Sequence, residues 1–235
     1  MNKTAPAQTG KTQRKGKTGK NEKKSARVIY KMVFINDSLN VVLLGDWNQL
    51  YSQPDWIAEN VFEKEEMEIG LSGQGTDFTV RYKADGVIIA PGLSSMIFSV
   101  TDTGESELKS LCEYLNNFLE KASTPQFAAY GLNAEFVEEN VSAFADVIDS
   151  MADAEALVNN GCVIVSTQIS RTLRRNNKLI NMSSNLENNN LQIRFNEHHI
   201  AEESRPNFTL ELVKSFIKEC REILSGLGYE MEGEE

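Results

Sequence analysis

The chain has no apolar run approaching the ~20 residues that a membrane helix needs, and no apolar core of the secretory-signal type near residue 1. Histidine is scarce, with only His198 and His199, so most histidine-based metal and triad sites are excluded at the outset. Cysteine is scarce too. Cys112, Cys162 and Cys220 are odd in number, widely spaced and form no Cys-x-x-Cys, which argues against a disulfide framework or a zinc site and for buried thiols in a reducing, cytoplasmic compartment. Residues 1–27 contain no aromatic residue and no Leu, Ile or Val. Such a segment has no apolar surface to bury against its ordering entropy. It also lacks the apolar face that an amphipathic transit peptide would show.

What residues 1–27 do contain is charge. Nine Lys or Arg against the single Glu22 give a net +8, and since the whole chain carries −10, residues 28–235 carry −18. A disordered basic tail is therefore expected on an acidic body, acting through charge on nucleic acid, an acidic partner or the body itself. Deleting residues 1–26 is expected to move the melting temperature by no more than about 2 °C. A larger fall in a calorimetric scan would show that the tail docks on the body.

The body alternates strand and helix signals. Val28–Asn36 is apolar and β-branched, breaks at Asn36-Asp37 and resumes at Val41–Leu44, as one strand or a hairpin would. Asp46–Phe62 predicts a loop and short helix, and Gly70–Gly75 a turn. Phe78, Val80 and Tyr82 alternate with polar residues, and Asp85-Gly86 is a hairpin turn that wants positive φ. Val87–Ala90 and Met96–Val100 follow as strands. Leu108, Leu111, Cys112, Leu115, Phe118 and Leu119 then fall on one helical stripe.

Phe127–Phe136 reads as a strand and Ser142–Val158 as a linking helix. Val163 to Ile169 and Leu179–Met182 make a second hairpin about Asn176-Asn177. Ser183–Asn190 is Asn-rich and reads as a loop, Leu191–Phe195 as a strand. Val213, Phe216, Ile217, Cys220, Ile223 and Leu224 make a closing helix. The order predicts an α+β fold of two similar antiparallel sheet-plus-helix halves (βββα-like), residues 28–140 and 161–235, joined by a helix at 141–160. One continuous sheet with its helices on one face satisfies the same order.

Few motifs carry chemistry. Gly10-Lys11-Thr12 imitates a phosphate loop, but no strand precedes it and no helix follows through Gly16 and Gly19. Gly70, Gly73 and Gly75 precede a strand, the reverse of the dinucleotide-binding order. His198 and His199, amid Glu197, Glu202 and Glu203, would point to opposite faces of a strand and so would not share an ion. Asp146, Asp149, Asp153 and Glu155 make an acidic helix face without the EF-hand spacing. Neither a catalytic set nor a cofactor or metal site is expected.

Two clusters remain. Arg171, Arg174, Arg175 and Lys178, with Arg194 opposite, concentrate positive charge at a hairpin tip in an acidic body, suited to an anion or an acidic partner. Trp47, Tyr51 and Trp56 make either core or an aromatic partner surface. Three functions follow in order of preference. The first is a non-enzymatic interaction or assembly protein, an accessory subunit binding a protein partner or itself. The second is a nucleic-acid-binding accessory protein using the tail and residues 171–178. The third is an enzyme with a scattered site near His198 and His199.

Overall fold

A computed structural model describes residues 31–74, 77–122, 127–139, 159–160, 163, 165–175, 178–187, 190–200 and 205–232. The basic tail, the expected linking helix with its acidic face, Cys162 and the hairpin tip Asn176-Asn177 lie outside the described residues.

The architecture is α+β, built on one eleven-stranded and almost wholly antiparallel sheet. In chain order the strands are β1 (Lys31–Phe34), β2 (Asn40–Gly45), β3 (Glu68–Gln74), β4 (Asp77–Ala84), β5 (Val87–Pro91), β6 (Ser95–Val100), β7 (Phe127–Glu138), β8 (Ser166–Arg175), β9 (Lys178–Glu187), β10 (Asn190–Ile200) and β11 (Glu230–Met231). Across the sheet they run β3-β4-β5-β6-β2-β7-β10-β9-β8, with β1 also on β7 and β11 parallel to β1. Among the described residues three helices accompany them: α1 (Pro54–Ile57, continuing as a π turn to Phe62), α2 (Glu105–Lys121) and α3 (Leu210–Leu227).

The break at Asn36-Asp37 makes neither a hairpin nor one straight strand. A 3-10 turn at Asn36–Ser38 lets β1 and β2 follow each other along the same edge of β7, at Val33 opposite Val137 and Asn40 opposite Asn133. Asp85 and Gly86 both have positive φ, 47° and 76°, as a primed two-residue hairpin turn demands. Gly70 and Gly73, expected in a turn, instead lie inside β3.

Residues Ser183–Glu187, expected in a loop, continue β9, because Asn185 and Ser183 pair with Gln192 and Arg194 on the side of the sheet where polar residues are needed. That side is set by the helices. Val41, Phe98, Leu132, Phe136, Phe195 and Met182 are buried on one face under α2 and α3, in a single core cluster. Each helix buries its apolar stripe there: Leu108, Leu111, Leu115 and Phe118 from α2, Val213, Phe216, Cys220 and Leu224 from α3.

Polar side chains lock the helix ends. Thr209 caps α3 by accepting from the Leu212 amide at 3.2 Å. Asn116 on α2 exchanges two hydrogen bonds with the backbone of Phe208, at 2.8 and 2.9 Å. Arg205 donates to the carbonyls of Leu119 and Ala122, supplying a cation to the carbonyl end of α2. No helix among the described residues is long and apolar enough to cross a membrane.

Candidate functional site

The face of the sheet turned away from α2 and α3 carries a row of amides. Asn40 on β2 stands opposite Asn133 on β7, Asn133 opposite Asn196 on β10, Asn196 opposite Asn181 on β9, and Asn181 opposite Thr172 on β8. Strand neighbours lie about 4.8 Å apart, so side chains directly opposite each other on one face can bond in series. They do. Thr172 donates to Asn181 Oδ1 at 2.9 Å, and Asn181 to Asn196 at 3.3 Å. Asn196 donates to Asn133 and Asn133 to Asn40, both at 2.8 Å, and Asn40 to the Ser38 carbonyl at 2.8 Å.

Five hydrogen bonds thus run one way across five strands, each polarising the next. Each amide keeps a further donor and acceptor for a ligand. Gly131 makes room for the row, since a Cβ there would come within 2.8 Å of Asn196 Nδ2. An open depression of about 600 Å³ lies over it, lined by these amides together with Ser170, Ser183 and Arg194. Val42, Ile97 and Leu179 flank the row on the same face, with Ile97 and Leu179 exposed.

The residues singled out in the sequence divide. Arg194 lies in this depression, its Nε donating to Glu135 at 2.9 Å, and Gln192 donates to the other oxygen of Glu135. Arg175 and Lys178 turn to the helix side. Arg175 bonds Glu222 at 2.5 Å and approaches Glu219 at 3.4 Å, both on α3. Lys178 holds Glu197 at 3.0 Å and nears Glu219 at 3.8 Å. Arg171 and Arg174 are exposed, and strand alternation puts them on opposite faces of β8, Arg171 toward the helices and Arg174 toward the amide row. The five cations are therefore spread over two faces and do not share one patch.

Glu197 is the centre of the helix-side network and is wholly buried. His199 Nε2 donates to it at 2.6 Å, and the His199 ring stacks on Tyr130, with centroids 4.4 Å apart. Burial pushes the Glu197 carboxyl up. The hydrogen bonds and charges of His199 and Lys178 outweigh that and leave it below the ordinary carboxylate value. His198, on the other face, stands beside Leu179 and Gly131.

Among the described residues no group of three or more His, Cys, Asp or Glu is placed to hold a metal. Burial raises the Cys112 thiol to about 11 and drives Cys220 higher still, so both are unreactive packing residues at neutral pH.

The aromatic cluster is core for the most part. Trp47 and Tyr51 are buried, and Trp56 packs edge-on to Phe118 at 5.9 Å while half-exposed. Only Trp56 of the three has side-chain surface to offer a partner.

The amide row was missed because its members are scattered from residue 40 to residue 196. Each reads alone as a loop or a solvated strand position. Only strand register brings them together. No protein family matches the chain, and no curated protein resembles it significantly.

Proposed function

We propose that this protein is a non-enzymatic binding and assembly module, an accessory subunit that engages a protein partner through the face of its sheet turned away from α2 and α3. The observation that supports this is the five-strand amide row beneath an open depression, with exposed aliphatic residues alongside. A face of this kind offers directional hydrogen bonds and a modest apolar contribution, the mixture found in protein interfaces that form and dissolve. Within this reading, β4-β5-β6-α2 and β8-β9-β10-α3, each three antiparallel strands followed by a helix, are the two similar halves of an internal duplication. The amide row then runs from β8, β9 and β10 of the second half onto β7 and β2, which lie between the two.

A nucleic-acid role keeps one specific support, the +8 of residues 1–27. The amide face itself weighs toward protein, since Arg194 is paired with Glu135 and no aromatic side chain stands in the row for base stacking.

The test is co-purification of the full chain from its native host, with and without nuclease, beside a variant carrying Ile97→Arg and Ser183→Arg. Both substitutions place bulk on the open face away from the core. The expected result is a nuclease-resistant partner that the variant loses, with a melting temperature within about 2 °C of the parent. A partner retained equally by both proteins would overturn the open-face reading. A partner released by nuclease would favour nucleic acid.

A further inference from the structure

We propose that the outer edge of β8 is a docking site for an acidic, extended segment of a partner protein, added to the sheet as a further strand. This rests on the reading of the protein as a partner-binding module and names the chemistry of the partner.

Strand β8 runs for ten residues, Ser166–Arg175, and ends the strand order; among the described residues no strand pairs with its outer edge. Half of its backbone N–H and C=O groups therefore point outward, a template for strand addition. Proteins usually protect such an edge, and arginine here serves as protection against self-pairing. Ser166–Arg175 carries Arg171, Arg174 and Arg175 and no acid. Laying β8 against a second β8 would bring arginine rows together, and the protein's own basic tail would be repelled in the same way. The edge refuses copies of itself and favours an acidic strand.

The two cations left over define the pattern. Arg175 is taken up by Glu219 and Glu222, but among the described residues Arg171 and Arg174 have no ion-pair partner. They lie three residues apart and on opposite faces. An incoming strand would set an acid opposite each, also three apart, one on either face of the enlarged sheet. Between them Leu173 is half-buried against the core, so the residue opposite it would be apolar and extend the core outward. Thr172, the start of the amide row, has its neighbour position on the open face, so the added strand would continue that row with a polar residue. The opposite edge, β3, carries no such code: its exposed side chains include Ile69 and Leu71.

The probe is a fluorescein-labelled ten-residue peptide of alternating Val and Thr, with Glu at the two positions that face Arg171 and Arg174 in antiparallel register. It is titrated into the full chain by anisotropy. Saturable binding is expected, with β8 amides gaining protection from hydrogen exchange. Changing Arg171→Glu together with Arg174→Glu should weaken it by roughly tenfold or more. A peptide with Lys in place of both Glu residues should recover affinity for that variant, which a merely sticky peptide would not.

Equal binding by parent and variant, or no binding, would overturn the proposal. So would displacement of the peptide by a single-stranded oligonucleotide, which would make the edge a phosphate site. Protection of β8 amides by dimerisation of the chain alone would assign the edge to a second copy. The two readings fail separately. If the peptide does not bind while the Ile97→Arg, Ser183→Arg variant still loses its partner, the edge proposal falls and the open-face reading stands.

Discussion

Replacing Lys178 by Met should destabilise the protein by about 3–5 kcal/mol, the cost of leaving a buried carboxylate without its cation. Glu197 has no solvent contact, and Lys178 is its fixed positive partner at 3.0 Å, with His199 as the other donor. Lys178 also nears Glu219, so its loss removes one of two fixed cations, Lys178 and Arg175, from a network holding three carboxylates, Glu197, Glu219 and Glu222. Urea unfolding measures the loss. A second variant, Lys178→Met with Glu197→Gln, separates charge from packing, because replacing both members of a buried pair costs far less than orphaning one. A loss below about 1 kcal/mol in the single variant would show that solvent reaches Glu197 after all.

The same carboxylate gives stability a direction in pH. In the folded chain Glu197 titrates below the ordinary value, because His199 and Lys178 outweigh the upward push of burial. A group whose folded pKa is depressed contributes stability above its unfolded pKa, about 4.3 for glutamate, and loses it as pH falls through the folded value. The advantage of the parent over Glu197→Gln should therefore be full near neutrality and shrink below about pH 4. An advantage that grows on acidification would mean that the carboxyl is held protonated in the fold.

How far the sequence could be read follows from the range of each signal. Local periodicity carried the helices: every apolar position of the α2 stripe is buried, and so is each of the α3 stripe except Ile223, which is half-buried. Turn chemistry carried the β4–β5 hairpin, where Asp85 and Gly86 take the positive φ that the dipeptide invites.

Polar strands defeated the same approach. Ser183–Glu187 has the composition of a loop, yet extends β9 because its alternate residues face the side of the sheet that no helix among the described residues covers. The cationic cluster was legible as composition only. Strand alternation sends Arg175 and Lys178 to acids on α3 and β10 and leaves Arg171 and Arg174 exposed. Sequence proximity says nothing about which cations already have partners, and so a double change at Arg174 and Arg175 would mix the loss of an unpaired surface charge with the loss of the ion pairs that tie β8 to α3.

The second large effect is expected at Phe118. Its ring is wholly buried and lies 5.1 Å from Trp47, 5.6 Å from Phe98, 5.9 Å from Trp56 and 6.3 Å from Tyr51. Every one of these contacts is edge-on, the geometry that aromatic quadrupoles favour, so the ring joins α2, β6 and the segment from Trp47 to Phe62 at one point. Phe118→Ala should cost about 3–5 kcal/mol, from lost transfer energy and the cavity left among rings too rigid to collapse into it. Phe118→Leu should cost less, since most of the volume is retained.

Both tryptophans touch the ring, so their emission reports the site directly. In the alanine variant it should shift to the red below the unfolding transition if the Trp47–Phe62 segment loosens first. In that event the segment opens separately from the sheet, and Trp56 becomes available to a partner in a minor state of the native protein. If emission and backbone circular dichroism change together at one denaturant concentration, the segment is an integral part of the core. The exposed edge of Trp56 is then its whole offer to a partner.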